Sequence, residues 1–166
     1  MRSAAVTRTT RTHARILCLV GSFLLASCGG GGSGGNDVTI SNQVLSGKIG
    51  GQAWSLGTAQ SNPYLSSASQ YFVDMYPSTF TPCGSFAAPT DVNELIVEIP
   101  NTVGSYNLSL SMNATFYVAS SSDNWVATQG RIVIESISAT TITGGANITY
   151  NADNAVDGKF QVAVCP

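Results

Sequence analysis

The sequence has few of the residues on which most enzymes rely. Its 166 residues include one histidine, His13, and only 10% of them are charged. His13 precedes an apolar run at residues 16–25, so the remainder of the chain contains no histidine. A Ser-His-Asp or Cys-His catalytic centre and a His-ligated zinc site are therefore excluded from that remainder.

Basic residues are equally scarce after the apolar run. Only Lys48, Arg131 and Lys159 remain there, against nine acidic residues, which gives a net charge of about −6. A surface of this charge repels the phosphate backbone of DNA and RNA. We therefore expect no nucleic-acid partner.

The first 27 residues have the pattern of a secretory signal peptide. Four arginines and no acids precede the apolar run, and the small residues Ala26 and Ser27 follow it. The run is too short to cross about 30 Å of hydrocarbon, so it is not a lasting transmembrane helix.

Cys28 ends the sequence Leu25-Ala26-Ser27-Cys28, which resembles the lipobox of bacterial lipoproteins. The resemblance implies cleavage before Cys28, followed by attachment of a diacylglycerol and a fatty acid such as palmitate to this cysteine. Several acyl chains on one residue anchor a protein stably in a bilayer. The alternative is an ordinary signal peptide cut near Ala26.

Residues 28–36 then form a glycine-rich tether with a reach of about 15 Å. The residue after the cysteine is Gly29 rather than Asp, and in lipoproteins of enteric type Asp there resembles an inner-membrane retention signal. We therefore expect a lipid-anchored protein of the bacterial cell envelope, at the outer membrane.

Two of the four cysteines remain available for a disulfide. Cys18 lies in the signal peptide and Cys28 is the lipidation site, which leaves Cys83 and Cys165. Because the compartment beyond the inner membrane is oxidising, the two are expected to form a bridge. The alternative is a pair of free buried thiols.

Residues 37–166 read as a single all-β domain. Short β-branched and aromatic runs alternate with polar turns, and Gly50-Gly51 marks a hairpin turn. Period-2 spacing places Tyr106, Leu108 and Leu110 on one buried face. The pattern predicts an antiparallel β-sandwich, with a small up-and-down β-barrel as the alternative.

Two parts of this domain resemble small bacterial lipoproteins of uncharacterised function. The residues that carry the resemblance lie at positions 45–54, 130–135, 143–145 and 156–160, with the cysteine near the C-terminus. It implies a β-sandwich and no known activity.

Candidate sites are few. Four oxygen-bearing residues before the last strand could bind calcium but are also ordinary turn formers: Asn151, Asp153, Asn154 and Asp157. Glu94 and Glu98 lie on one strand face about 13 Å apart, which is too far for glycoside hydrolysis, so a solvated face is expected.

The two tryptophans differ in their expected roles. Trp54 is expected in the core, whereas Trp125 follows a polar stretch and is expected to be exposed, as the anchor of a binding surface. With no catalytic signature and no expected cofactor, the chain reads as a non-catalytic binding or structural module with an unknown protein or glycan partner. The alternative is a carboxylate-based hydrolase of the cell envelope or of glycans.

Overall fold

Every regular element of the described chain is a β-strand. The computed structural model describes residues 38–84 and 88–166, so the signal peptide, Cys28 and the tether lie outside it. The prediction of an all-β fold is confirmed for the described residues. No helix in these two ranges has the length and apolar character that crossing a membrane requires.

The described residues form eleven strands. In chain order these are β1 (Ser46–Ile49), β2 (Gln52–Ser55), β3 (Thr58–Ser61), β4 (Gln70–Tyr76), β5 (Glu94–Pro100), β6 (Gly104–Asn107), β7 (Ala114–Val118), β8 (Asp123–Ala127), β9 (Gln129–Ile137), β10 (Thr141–Asn151) and β11 (Asn154–Ala163).

The strands pair in the order β6-β9-β10-β11-β3-β4-β5-β7-β8, and the β1–β2 hairpin attaches to β11. This mixed sheet curls into a half-barrel. The expected antiparallel pairing differs at one strand pair, because β3 and β11 are parallel at Gln60 and Ala163. One edge of β11 is shared between β1 at its start and β3 at its end, and β3 runs in the same direction as β11.

Alternating side chains of the strands build the core. Strand β5 shows the pattern most clearly, since Leu95, Val97 and Ile99 are buried and the residues between them are half-buried. The largest fully buried side chains come from Leu45, which precedes β1, and from six of the strands: Ile49, Val73, Met75, Phe116, Ile132, Ile134, Ile142 and Ile148, together with the three from β5. Burial of this apolar surface is the main stabilising contribution.

Two glycines allow the tight turn of the first hairpin, between β1 and β2. Gly50 and Gly51 have φ values of 62° and 75°. Positive φ at both central positions is the requirement of a type I′ turn, whose twist matches that of the flanking strands. The predicted hairpin turn is confirmed.

Gly144 lies within β10, opposite Phe160 of β11. A Cβ atom at this position would collide with the Phe160 ring and with the carbonyl oxygen of Val133. Glycine is needed here because an aromatic ring and a neighbouring backbone occupy the space of a side chain.

Loop 77–84 is held on the outer side of β3 and β4. Thr58 Oγ1 accepts the Phe80 N–H at 3.1 Å, and the Phe80 ring contacts Tyr76 edge-on with 5.4 Å between centroids. The structure joins Cys83 to Cys165 in a disulfide, as the sequence predicts. The bridge ties this loop to the residues that follow β11.

The prediction that Tyr106, Leu108 and Leu110 share one buried face is wrong for Leu110. Leu108 is buried, but Leu110 is 89% exposed. Strand β6 ends at Asn107, and the chain then turns, with the Ser109 N–H donating to the Met112 carbonyl oxygen at 2.7 Å.

Candidate binding sites

The two tryptophans occupy the environments that the sequence predicts. Trp54 is 5% exposed, and its Nε1 donates to the Asn93 carbonyl oxygen at 3.1 Å. Asn93 in turn donates to Ile49 and accepts the Ala119 N–H. Trp54 is therefore a core residue fixed by a polar anchor, whereas Trp125 is 38% exposed.

Trp125 packs against an aromatic partner. It lies on β8 directly opposite the buried Phe116, so its side chain points to the core side of the sheet. There its ring meets Tyr150 of β10, with 5.3 Å between centroids, and Tyr150 is 42% exposed. The pair closes the core between β8 and β10 and also presents aromatic surface to solvent.

A groove of about 720 Å³ opens between β3 and β11. It lies where β11 changes partners, since β1 pairs with its first half and β3 pairs only at Ala163. Its apolar lining includes Val44, Leu56, Ala59, Phe80 and Phe160, and its polar lining includes Asn42, Thr58, Thr79, Thr141, Thr143 and Gln161. This volume and mixture are typical of ligand-binding clefts.

One ion pair lies on the rim of the groove. Lys159 of β11 forms a salt bridge with Glu135 of β9 across the intervening strand β10. Both side chains are partly exposed, so the pair adds little stability. Its two charges can instead orient a polar group of a bound molecule.

A carboxylate pair that the sequence did not reveal lies on the outer face of β4 and β5. Met75 pairs with Leu95, so the next step of the ladder brings Tyr76 beside Glu94. Asp74 pairs with Ile96, so Glu94 lies on the same face two residues further along β5, and Asp74 and Tyr76 both interact electrostatically with it. The expectation that Glu94 lies on a solvated strand face is wrong, because Glu94 is half-buried beside Asp74.

Burial favours the protonated form of both acids. Desolvation, and then the charge of Asp74, raise the pKa of Glu94 from 4.5 to about 7. Desolvation also raises the pKa of Asp74, although hydrogen bonds with Asn62 and Glu94 oppose the rise. Burial and both neighbouring acids raise the pKa of Tyr76, which therefore stays protonated.

Two carboxyls on one half-buried face influence each other's ionisation. Glycoside hydrolysis also uses two carboxyls, held at a fixed separation on either side of the sugar. Asp74 and Glu94 are therefore the pair on which a carboxylate-based reaction would depend.

A second, smaller cavity adjoins Asp74. It has a volume of about 350 Å³ and is lined by Gln60, Ser61, Asn62, Pro63, Tyr64, Asp74, Cys83, Gly84, Cys165 and Pro166. The disulfide forms part of its wall. We call it the Asp74 pocket.

The four residues considered for calcium have structural partners. Asn154 is buried, its Oδ1 accepts the Gly50 N–H at 2.8 Å, and its Nδ2 donates to Asn151 at 3.1 Å. Asn151 also accepts the Asp153 N–H, and Asp157 accepts the Ser41 N–H. The described ranges contain no group of three or more His, Cys, Asp or Glu that could hold a metal ion.

The chain matches no protein-family model, no curated protein and no solved structure.

Proposed function

We propose that this chain is an envelope lipoprotein, anchored in the outer membrane through acylated Cys28, whose β-domain is a non-catalytic binding module. The lipobox at residues 25–28 and the glycine-rich tether after it support the anchor. The acidic balance of the domain argues against nucleic acid as the partner, so the partner is a protein or a glycan.

We also propose that the curled sheet packs as a sandwich. The contact between Trp125 of β8 and Tyr150 of β10 supports this arrangement, because the two strands are far apart in the pairing order. Side chains that meet across two sheet layers are the hallmark of a sandwich core.

The groove between β3 and β11 is the main support for the proposed binding role. A cleft with an apolar floor and a polar rim buries apolar ligand surface while its polar groups fix the ligand's orientation. Gln161 and Thr143 line the groove from the outer face of β11 and β10. Larger side chains there would fill it without touching the core.

Site-specific crosslinking in intact bacteria tests this role. A benzophenone amino acid replaces Gln161 in the groove or, as the matched control, Thr149, which is exposed on β10 and is not among the groove residues. We expect one discrete adduct from position 161, none from position 149, and loss of the adduct when Thr143→Trp fills the groove. Equal adduct patterns from both positions would show that the groove is not the binding site.

The alternative function is a carboxylate-based hydrolase, and only the proximity of Asp74 and Glu94 favours it. A panel of chromogenic p-nitrophenyl glycosides separates the two functions. Turnover that disappears in Asp74→Asn would establish the hydrolase. The binding role predicts no turnover in either protein.

A further inference from the structure

The Asp74 pocket combines a flat aromatic ring with hydrogen-bonding groups. Tyr64 lies at its rim and is 94% exposed. Among the described large apolar and aromatic side chains, it has the largest exposed fraction. Pro63 and the disulfide supply further apolar wall, and Gln60, Asn62 and Asp74 supply polar atoms. The pocket is near the lower limit of volume for small-molecule sites, so it fits one ring rather than a long chain.

The turn that carries Tyr64 is ordered by its own hydrogen bonds. Asn62 Oδ1 accepts the Tyr64 N–H at 3.1 Å, and the Asn62 carbonyl oxygen accepts the Ser66 N–H at 2.9 Å. These bonds fix the backbone beneath an exposed ring. Ligand binding then costs little loop entropy.

Backbone bonds also set the orientation of the two amides. Gln60 Oε1 accepts the Cys83 N–H at 2.9 Å, so the donor of this side chain is its NH₂ group. Asn62 and Asp74 both line the pocket, and Asn62 is close enough to lower the pKa of the Asp74 carboxyl, which burial raises. The pocket thus offers an amide donor and a carboxyl acceptor.

The charge of the pocket disfavours an anionic ligand. Asp74 brings negative charge, and the domain as a whole has about six more acidic than basic groups, so anions are repelled. A neutral molecule with several hydroxyls can donate to the Asp74 carboxylate and accept from an amide. The apolar C–H face of a sugar ring can in addition lie on an aromatic side chain.

We propose that the Asp74 pocket binds a neutral sugar ring of a glycan, with Tyr64 as its platform and Asp74 as its hydroxyl acceptor. This site is separate from the groove between β3 and β11 and does not depend on it. A single ring of about a dozen non-hydrogen atoms gives a Kd on the order of millimolar.

Titration of the full chain in detergent with uncharged trisaccharides tests the proposal. The probes are maltotriose, cellotriose and triacetylchitotriose, followed by ligand-observed NMR. At least one of them is expected to bind the unaltered chain, and Tyr64→Ala and Asp74→Asn should each weaken that binding roughly tenfold or more. Because Tyr64 is almost fully exposed, its truncation leaves the fold intact.

Leu65→Ala is the matched control, since Leu65 is 58% exposed in the same turn but is not among the pocket residues. Affinity should be unchanged in this variant. The proposal is overturned if none of the three sugars binds at about 20 mM, or if Tyr64→Ala binds as well as the unaltered chain. Loss of sugar binding in Gln161→Trp would also overturn it, because the groove would then be the site.

Discussion

The half-buried pair of Asp74 and Glu94 should make the stability of the domain depend on pH in a specific direction. The folded state raises the pKa of Glu94 from 4.5 to about 7. A raised carboxyl pKa means that the folded state binds the proton more tightly than the unfolded chain. This stabilisation is complete below about pH 4.5 and is lost as the pH rises through about 7.

The size of the effect follows from the shift. Each pKa unit corresponds to about 1.4 kcal/mol, so the change from 4.5 to about 7 amounts to about 3 kcal/mol. This is an upper figure, because Glu94 is only half-buried and water screens part of the interaction. For a domain of this size it corresponds to a fall in Tm on the order of 10 °C.

Glu94→Gln removes the ionisable group at this position and so measures its contribution to the pH dependence. Glutamine keeps nearly the shape of protonated glutamic acid, with an N–H donor and an oxygen acceptor, but it does not titrate. We expect Glu94→Gln to match the unaltered domain below about pH 4.5 and to exceed it by an amount that grows to at most about 3 kcal/mol at pH 8. Urea denaturation at five pH values between 4 and 8 measures both curves.

Glu98→Gln serves as the control, because Glu98 lies on the same face of β5 beyond the pair. Its stability curve should fall with pH in parallel with that of the unaltered domain. If the Glu94→Gln curve also runs parallel to the unaltered one over this range, the pair does not hold the proton and the reasoning fails.

Three further predictions concern the anchor, the disulfide and the aromatic pair. Cys28→Ala should leave the precursor unprocessed and move the protein out of the detergent phase on Triton X-114 partitioning; unchanged partitioning would contradict lipidation. The Cys83–Cys165 bridge closes a loop with a sequence separation of 82, so Cys83→Ser with Cys165→Ser should lower the free energy of unfolding by at most roughly 4.5 kcal/mol. The unreduced protein should be two hydrogens lighter than the reduced one, and alkylation of both thiols without reductant would refute the bridge. Trp125→Ala and Tyr150→Ala should show a coupling of about 0.5–1.5 kcal/mol in a double-mutant cycle of urea denaturation, whereas additive effects would show that the two rings do not interact.

Local features of the sequence predicted the local features of the fold. Adjacent glycines predicted the first hairpin, because only glycine adopts positive φ at both turn positions without strain. The alternation expected of a strand also holds in β11, where Phe160 and Val162 lie in the core. The same alternation failed at Leu110, because a period of two does not show where a strand ends.

Pairing between distant strands could not be derived in the same way. The parallel contact of β3 with β11 and the groove beside it depend on which strands become neighbours. Tyr150 could not be connected to Trp125 for the same reason, since β8 and β10 meet across the fold rather than along a ladder. A strand pattern specifies which face is buried but not which strand packs against it.

The acidic pair illustrates this limit and bears on function. The sequence does mark Asp74 as unusual, because it interrupts a run of aromatic and apolar residues. Alternation places it on the same strand face as Phe72 and Tyr76. Its partner depends on the register of β4 with β5, which the sequence does not specify. Two carboxyls close together on a half-buried face cost stability above neutral pH, so the pair is not explained by packing alone. Asp74 also lines a pocket, and perturbed acids beside cavities are more often found at functional sites than elsewhere. Asp74→Asn removes the charge of this residue and keeps its size, so comparing its effect on stability with its effect on sugar binding separates a structural role of Asp74 from a role in the pocket.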